Sequence, residues 1–178
     1  MIIDQTIIDH FKTEEGYRTT SYVDTVGVAT IGIGHALGKG SEYENITWTD
    51  DQVMITFQQD VNKATQGVIQ IFPQYETFSQ GLQLALLDMC FELGEHGLSQ
   101  FVSMIKYINE GNFQEAANDA LNSLWARQVP ARSHRDAALI AAGSIVTPPA
   151  VPVAPETSTD NPILDFFREV ANFVSTTL

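Results

Sequence analysis

Glu15-Gly16, then Tyr22-Val23-Asp24-Thr25-Val26-Gly27, then Thr30-Ile31-Gly32-Ile33-Gly34-His35 mark the point where the chain changes periodicity, and that change decides the fold. On the N-terminal side, Asp4 is placed to cap a helix in which Ile8 and Phe11 share a face with Glu15, and Gly16 is placed to end it. Glu15 therefore falls at a helix C-terminus. From Thr19 to His35 the sequence turns to short runs rich in Thr, Val, Tyr and Ile, broken at Asp24-Thr25-Val26-Gly27 by residues with the chemistry of a turn. This predicts a small antiparallel sheet directly after the helix. Gly38 to Ile46, Gly-rich and polar, completes it as a short strand or loop.

Further outward the pattern is helical. Thr49-Asp50-Asp51-Gln52 has the form of a capping box, and Val53, Phe57, Val61, Ala64 and Val68 then mark one face of a long helix that links the sheet to the rest. Leu82, Ala85, Leu86, Met89 and Leu93 repeat the stripe before Gly94, and Phe101, Met104, Ile105 and Ile108 repeat it before Gly111. Asn112 with Glu115 starts a short helix, and Pro130 in a first-turn position opens one running to about Gly143. The expected class is α+β, mainly α. Beyond Gly143 the composition shifts to Pro, Ser, Thr, Val and Ala, so residues 144–161 read as a Pro-rich linker. Residues 162–178 read as an amphipathic helix with Ile163, Phe166, Phe167, Val170 and Phe173 on its apolar face, suited to a protein partner or a membrane surface.

Composition removes several classes of function. With 22 acidic and 9 basic residues and a net charge of -13, the chain lacks the basic stripe that neutralises phosphates, so no nucleic-acid partner is expected. No run approaches the roughly 20 apolar residues that span a bilayer. The start Met1-Ile2-Ile3-Asp4-Gln5 lacks the basic and apolar segments of a secretory signal, so delivery outside the cytoplasm would need another route. Cys90, the only cysteine, sits in an apolar helical stripe and reads as a buried thiol. The histidines show no ligand spacing, and Gly32-Ile33-Gly34 with Gly38 lacks the third glycine of a dinucleotide loop. No metal and no cofactor are expected.

Glycoside hydrolysis needs one protonated carboxyl to protonate the leaving oxygen and a second acidic group to act on water or on the developing positive charge. Glu15 suits the first role, because the apolar side of a helix and the negative end of its dipole both favour a carboxyl that keeps its proton. Glu14 beside it reads as solvated. Asp24 follows in the turn and Thr30 on the returning strand; singly neither is informative, since Asp is a common turn former.

Jointly, the spacing of Glu15-Gly16, Tyr22 to Gly27 and Thr30 to His35 resembles the signature of glycoside hydrolase family 24, the lysozymes of tailed bacteriophages. Phe57 to Val61, Phe91 to Glu95 and Trp125 to Arg132 resemble further family segments, so the likeness covers roughly residues 7 to 143. It implies a lysozyme-like fold, with a sheet lobe at about 16–48 and a helical lobe at about 49–143 plus the N-terminal helix, in one catalytic domain of residues 1–143. The saccharide would lie between the lobes. The resemblance also implies that Glu15 is the general acid and that Asp24 and Thr30 position the attacking water in an inverting cleavage between N-acetylmuramic acid and N-acetylglucosamine.

By the same resemblance Arg132 sits beside the catalytic glutamate, His35 and Asp60 are structural partners, and Phe91 and Met104 line the cleft, although each also fits a core stripe, and for Met104 the core is the favoured reading. Gly34 belongs to a glycine run that would let the sugar chain approach the backbone. Arg135 shares a helix face with Arg132. The segment between His35 and Thr49 is short for the family, which reduces the sheet lobe. The implied setting is bacteriophage lysis of the wall by a monomeric domain, released from the host cytoplasm by a holin or carried on the virion. A wall-binding module without turnover is the competing reading.

Overall fold

The computed structural model describes residues 4–24 and 27–146, so the expected helix 162–178 and residues 147–161 of the expected linker lie outside the described residues. Helix α1 (Gln5–Glu15) begins where the Asp4 carboxylate accepts from Ile7 N at 3.1 Å. It ends at Gly16, whose φ of 78° is one that an L side chain rarely adopts. Strands β1 (Arg18–Val23), β2 (Ala29–Gly32) and β3 (His35–Gly38) follow as an antiparallel sheet in that order. The register sets Tyr22 opposite Thr30 and Val23 opposite Ala29. Asp24 closes the first hairpin: its N–H donates to Val28 O, and Val28 N–H donates to Asp24 Oδ1, both at 2.8 Å. After β3 a short 3-10 turn, Ser41–Tyr43, returns the chain beside β1, where Ser21 N–H donates to Ile46 O and Trp48 N–H to Thr19 O.

Helix α2 (Asp50–Ile71) opens with the expected capping box, Thr49 accepting from Gln52 N while the Gln52 amide accepts from Thr49 N. Its 22 residues give it a length of about 33 Å. It packs on β2 and β3 and along α3 (Gln80–Ser99), so it joins the sheet to the helices. Leu82, Ala85, Leu86, Leu87 and Met89 of α3 are fully buried. Around α3 lie α4 (Val102–Asn109), α5 (Phe113–Leu121), α6 (Leu124–Gln128) and α7 (Pro130–Ala141).

Three details depart from the sequence reading. Gly94 breaks α3 with φ 71°, but the chain resumes helical form to Ser99 instead of stopping. Helix α6, capped by Ser123 accepting from Ala126 N, was not anticipated; five residues are too few to show a period. The linker starts later than residue 144, because Ser79 N–H donates to Ser144 O and Val146 N–H to Thr77 O, tying those residues to the folded unit.

Candidate active site

Glu15, the last residue of α1, carries a side chain that is 21% exposed. Arg132 Nη2 donates to its Oε1 at 2.6 Å. Gly34, just after β2, lies against the same carboxyl: a Cβ there would sit 2.9 Å from Glu15 Cγ and 3.0 Å from Oε2, and its φ is +73°. The close approach that Gly34 permits is therefore, in the first place, that of Glu15 to the sheet. Gly34 also lines a cleft of about 330 Å³ together with His35, Asp60, Lys63, Phe91 and Glu95.

Arg132 is 8% exposed on α7. Its Nε and Nη2 fork onto Asp88 of α3 at 2.8 and 2.9 Å, and Nη1 lies 3.4 Å from Glu92 Oε2, which accepts from Trp125 Nε1 at 2.8 Å. One guanidinium thus gathers Glu15, Asp88 and Glu92. Burial alone would push the Arg132 pKa down, but Asp88 and Glu15 outweigh it and hold the guanidinium more firmly charged than usual. For Asp88, burial pushes the pKa up, yet the hydrogen bonds and charge of Arg132, with His10 and Asp136, hold the carboxyl well below the usual carboxylate range. The neighbouring pair divides differently from the sequence expectation, because Glu14 is covered and takes a hydrogen bond from Arg135 instead of standing free in water.

Behind Arg132, Asp136 is fully buried, and neither of its oxygens has a hydrogen-bond partner among the described residues. His10 Nε2 lies 3.2 Å from Asp88 Oδ1 without the alignment of a hydrogen bond. Donor atoms of His10, Asp88 and Asp136 fall within 4.8 Å of one another, the one metal-capable grouping among the described residues, although Asp88 already serves Arg132 with both oxygens. Sequence reading missed Asp88, Asp136, His10 and Glu92. The available signals were a carboxylate inside the apolar run Leu86-Leu87-Asp88-Met89-Cys90 and an aspartate one helical turn after Arg132.

The other expected residues divide as follows. Asp24 directly follows β1, and Thr30, 7% exposed on β2, points its hydroxyl to Val28 O at 3.4 Å. His35 Nδ1 and Asp60 Oδ2 are 2.7 Å apart, tying β3 to α2. Phe91 is half-buried, its ring 4.6 Å from that of Phe11. Met104 corrects an expectation: at 0% exposure it lies wholly within the core and has no surface to offer a saccharide.

A partly exposed carboxyl, held on one oxygen by a buried arginine at the edge of a cleft, is equipped to pass a proton to a bound oxygen atom. The chain matches the family model described as phage lysozyme over residues 12–136. "Probable T4-type lysozyme 1" of Dictyostelium discoideum is 29% identical over 164 residues, covering 78% of this chain and 95% of its own length. The "Endolysin" of Bacillus phage B103 is 32% identical over 124 residues, 68% of this chain and 45% of its own. "Pre-baseplate central spike protein Gp5" of Enterobacteria phage T4 is 24% identical over 80% of this chain and 28% of its own length. With a matched span that takes in Glu15, Asp24, Thr30 and Arg132, the chain belongs to the phage lysozyme family.

Proposed function

We propose that the protein cleaves the β-1,4 bond between N-acetylmuramic acid and N-acetylglucosamine with inversion, Glu15 acting as general acid and Asp24 with Thr30 positioning the attacking water. As a phage lysozyme it is a glycoside hydrolase that degrades peptidoglycan. The observation that supports the assignment of the acid is the grip of Arg132 on Glu15 Oε1, which leaves Oε2 to carry the transferable proton. As the glycosidic bond breaks, that proton passes to the leaving oxygen, and water enters the opposite face of the sugar, giving up its own proton to the Asp24 carboxylate. Arg132 keeps the carboxyl aimed as the charge on Glu15 changes. Phe91, Gly34 and the His35–Asp60 pair would line the path of the glycan.

Relatives that include a phage endolysin and a baseplate spike protein support a phage setting. We read the protein as a phage enzyme of wall lysis, acting either after release into the wall or from the virion. No helix among the described residues is long and apolar enough to cross a membrane.

Turbidity clearing of outer-membrane-stripped Gram-negative cells tests the reading, with Glu15→Gln as the comparison. Wild type should clear the cells and release fragments with reducing-end N-acetylmuramic acid, whose first-formed anomer by NMR is inverted. Glu15→Gln should fold and be inert, because the amide has no acidic proton to give. Clearing by a folded Glu15→Gln protein would refute the assignment of the acid, and a retained anomer would refute inversion.

A further inference from the structure

Arg132 faces more negative charge than it can balance. Glu15, Asp88 and Glu92 all approach its guanidinium, and Asp136, one turn further along α7, adds a fourth carboxyl that is fully buried and has no hydrogen-bond partner among the described residues. Asp136 instead lies close to Asp88 and His10. Two ionised carboxylates facing each other out of water repel and offer acceptors only, whereas a proton on one of them supplies the missing donor. A metal ion could answer the same need, but both Asp88 oxygens are already bound by Arg132, and a dication there would sit against the guanidinium.

We propose that Asp136 is a positioning residue: held as a neutral carboxylic acid, it donates to Asp88 and so keeps the Asp88 carboxylate, and through it the Arg132 fork, set against Glu15. This rests on the reading of Glu15 as the general acid. The groups that act on Asp136 are His10 and Glu14 on α1, Asp88 on α3 and Arg132 on its own helix α7, while Glu15 and Glu92 contact Arg132 and Arg135 contacts Glu14. Burial, followed by the charge of Asp88, pushes the Asp136 pKa up to about 9. The charge on Asp88 is thereby preserved for Arg132, and the neutral partner adds a hydrogen bond without adding to the repulsion. Asp136 acts only through Asp88 and Arg132 and touches no reacting atom.

The sign of the resulting pH dependence is fixed. Unfolded, Asp136 loses its proton near pH 4; folded, it keeps the proton to about pH 9. Between those values the folded state holds one proton more than the unfolded state, so the folding equilibrium constant falls by about tenfold per pH unit as pH rises. Asp136→Asn, an isosteric neutral donor, should remove that component. Across pH 5 to 8.5 the stability of the variant, from urea unfolding, should slope less steeply than wild type by about one proton. At pH 6.5 Asp136→Leu should lower kcat on the order of tenfold with KM near wild type, because Asp88 loses its donor and the fork on Glu15 loosens. Asp136→Asn should restore kcat.

Equal slopes for wild type and Asp136→Asn would show that Asp136 is ionised and would overturn the proposal. So would an Asp136→Leu protein as active as wild type, or a stabilisation by added Zn2+ that Asp136→Asn abolishes, since a cation would then hold the pair. The stability arm needs no catalysis. An active Glu15→Gln protein would therefore sink the reading of the site while leaving the proton on Asp136 standing, and equal slopes would do the reverse.

Discussion

Gly34→Ala is the perturbation whose effect can be worked most directly from the structure. A Cβ at Gly34 would stand 2.9 Å from Glu15 Cγ and 3.0 Å from Oε2, about 0.5 Å inside ordinary contact, so the glutamate must give way. The backbone adds its own cost, because φ +73° is left-handed and costs an L residue roughly 1–2 kcal/mol. For a protein of this size that is a fall in Tm of roughly 2–8 °C. A 1 Å misplacement of a reacting group can cost about a hundredfold in rate, so a shift of half that size should cost on the order of tenfold in kcat. Gly111→Ala is the control: its φ is +75° and nothing lies within 4 Å of the new methyl group, so it carries the backbone cost without the contact. The assay is initial clearing rate on stripped cells at a temperature where both variants are folded, beside thermal unfolding of each. Similar losses of Tm, with a drop in kcat only for Gly34→Ala, are expected. Equal activity in the two variants would refute the argument that Gly34 is a glycine to make room for Glu15.

Three further outcomes follow from the same contacts. Arg132→Met should lower stability by about 3–5 kcal/mol in urea unfolding at pH 7, because it strands the buried Asp88 carboxylate, and adding Asp88→Asn should recover part of the loss. Asp88 has a folded pKa below its unfolded value, so its stabilisation is present above about pH 4 and drains away as pH falls through the lower folded value; the acid limb of Tm against pH, from pH 4 to 2, should be flatter in Asp88→Asn than in wild type. Removal of residues 148–178 should leave hydrolysis of isolated wall material intact, whereas a cut at residue 143 should cost stability as well, by breaking the bonds of Ser144 and Val146 to the 77–79 segment.

Much of the fold was legible because its signals are local. The Asp4 cap, the Thr49–Gln52 capping box and the Asp24 turn each join groups no more than four residues apart, so composition and order suffice to recognise them. The stripe of α2 and the placing of Glu15 at the end of α1 follow from helical period in the same way. Periodicity reports which face is apolar, but not how deep it lies. Phe91 and Met104 both fit a core stripe on that basis, yet Phe91 reaches the cleft while Met104 lies wholly within the core.

Chain order and local chemistry specify most of the elements, the starts of α1 and α2, the hairpin and, through the spacing of Glu15, Asp24 and Thr30, the family and the general acid to test. The family resemblance puts Arg132 beside that acid, but what grips Arg132 in turn, Asp88 and Glu92, emerges only from the folded chain. Arg132 is 117 residues from Glu15 and 44 from Asp88, and no local rule selects those partners from 22 acidic residues. The tertiary structure also decided that Glu14 pairs with Arg135, that Gly34 leaves room for a carboxyl, and that Asp136 is buried beside Asp88. The physical reason is that the state of a charged group depends on the surroundings folding assembles, above all the depth of burial and the neighbouring charges, which chain order does not specify.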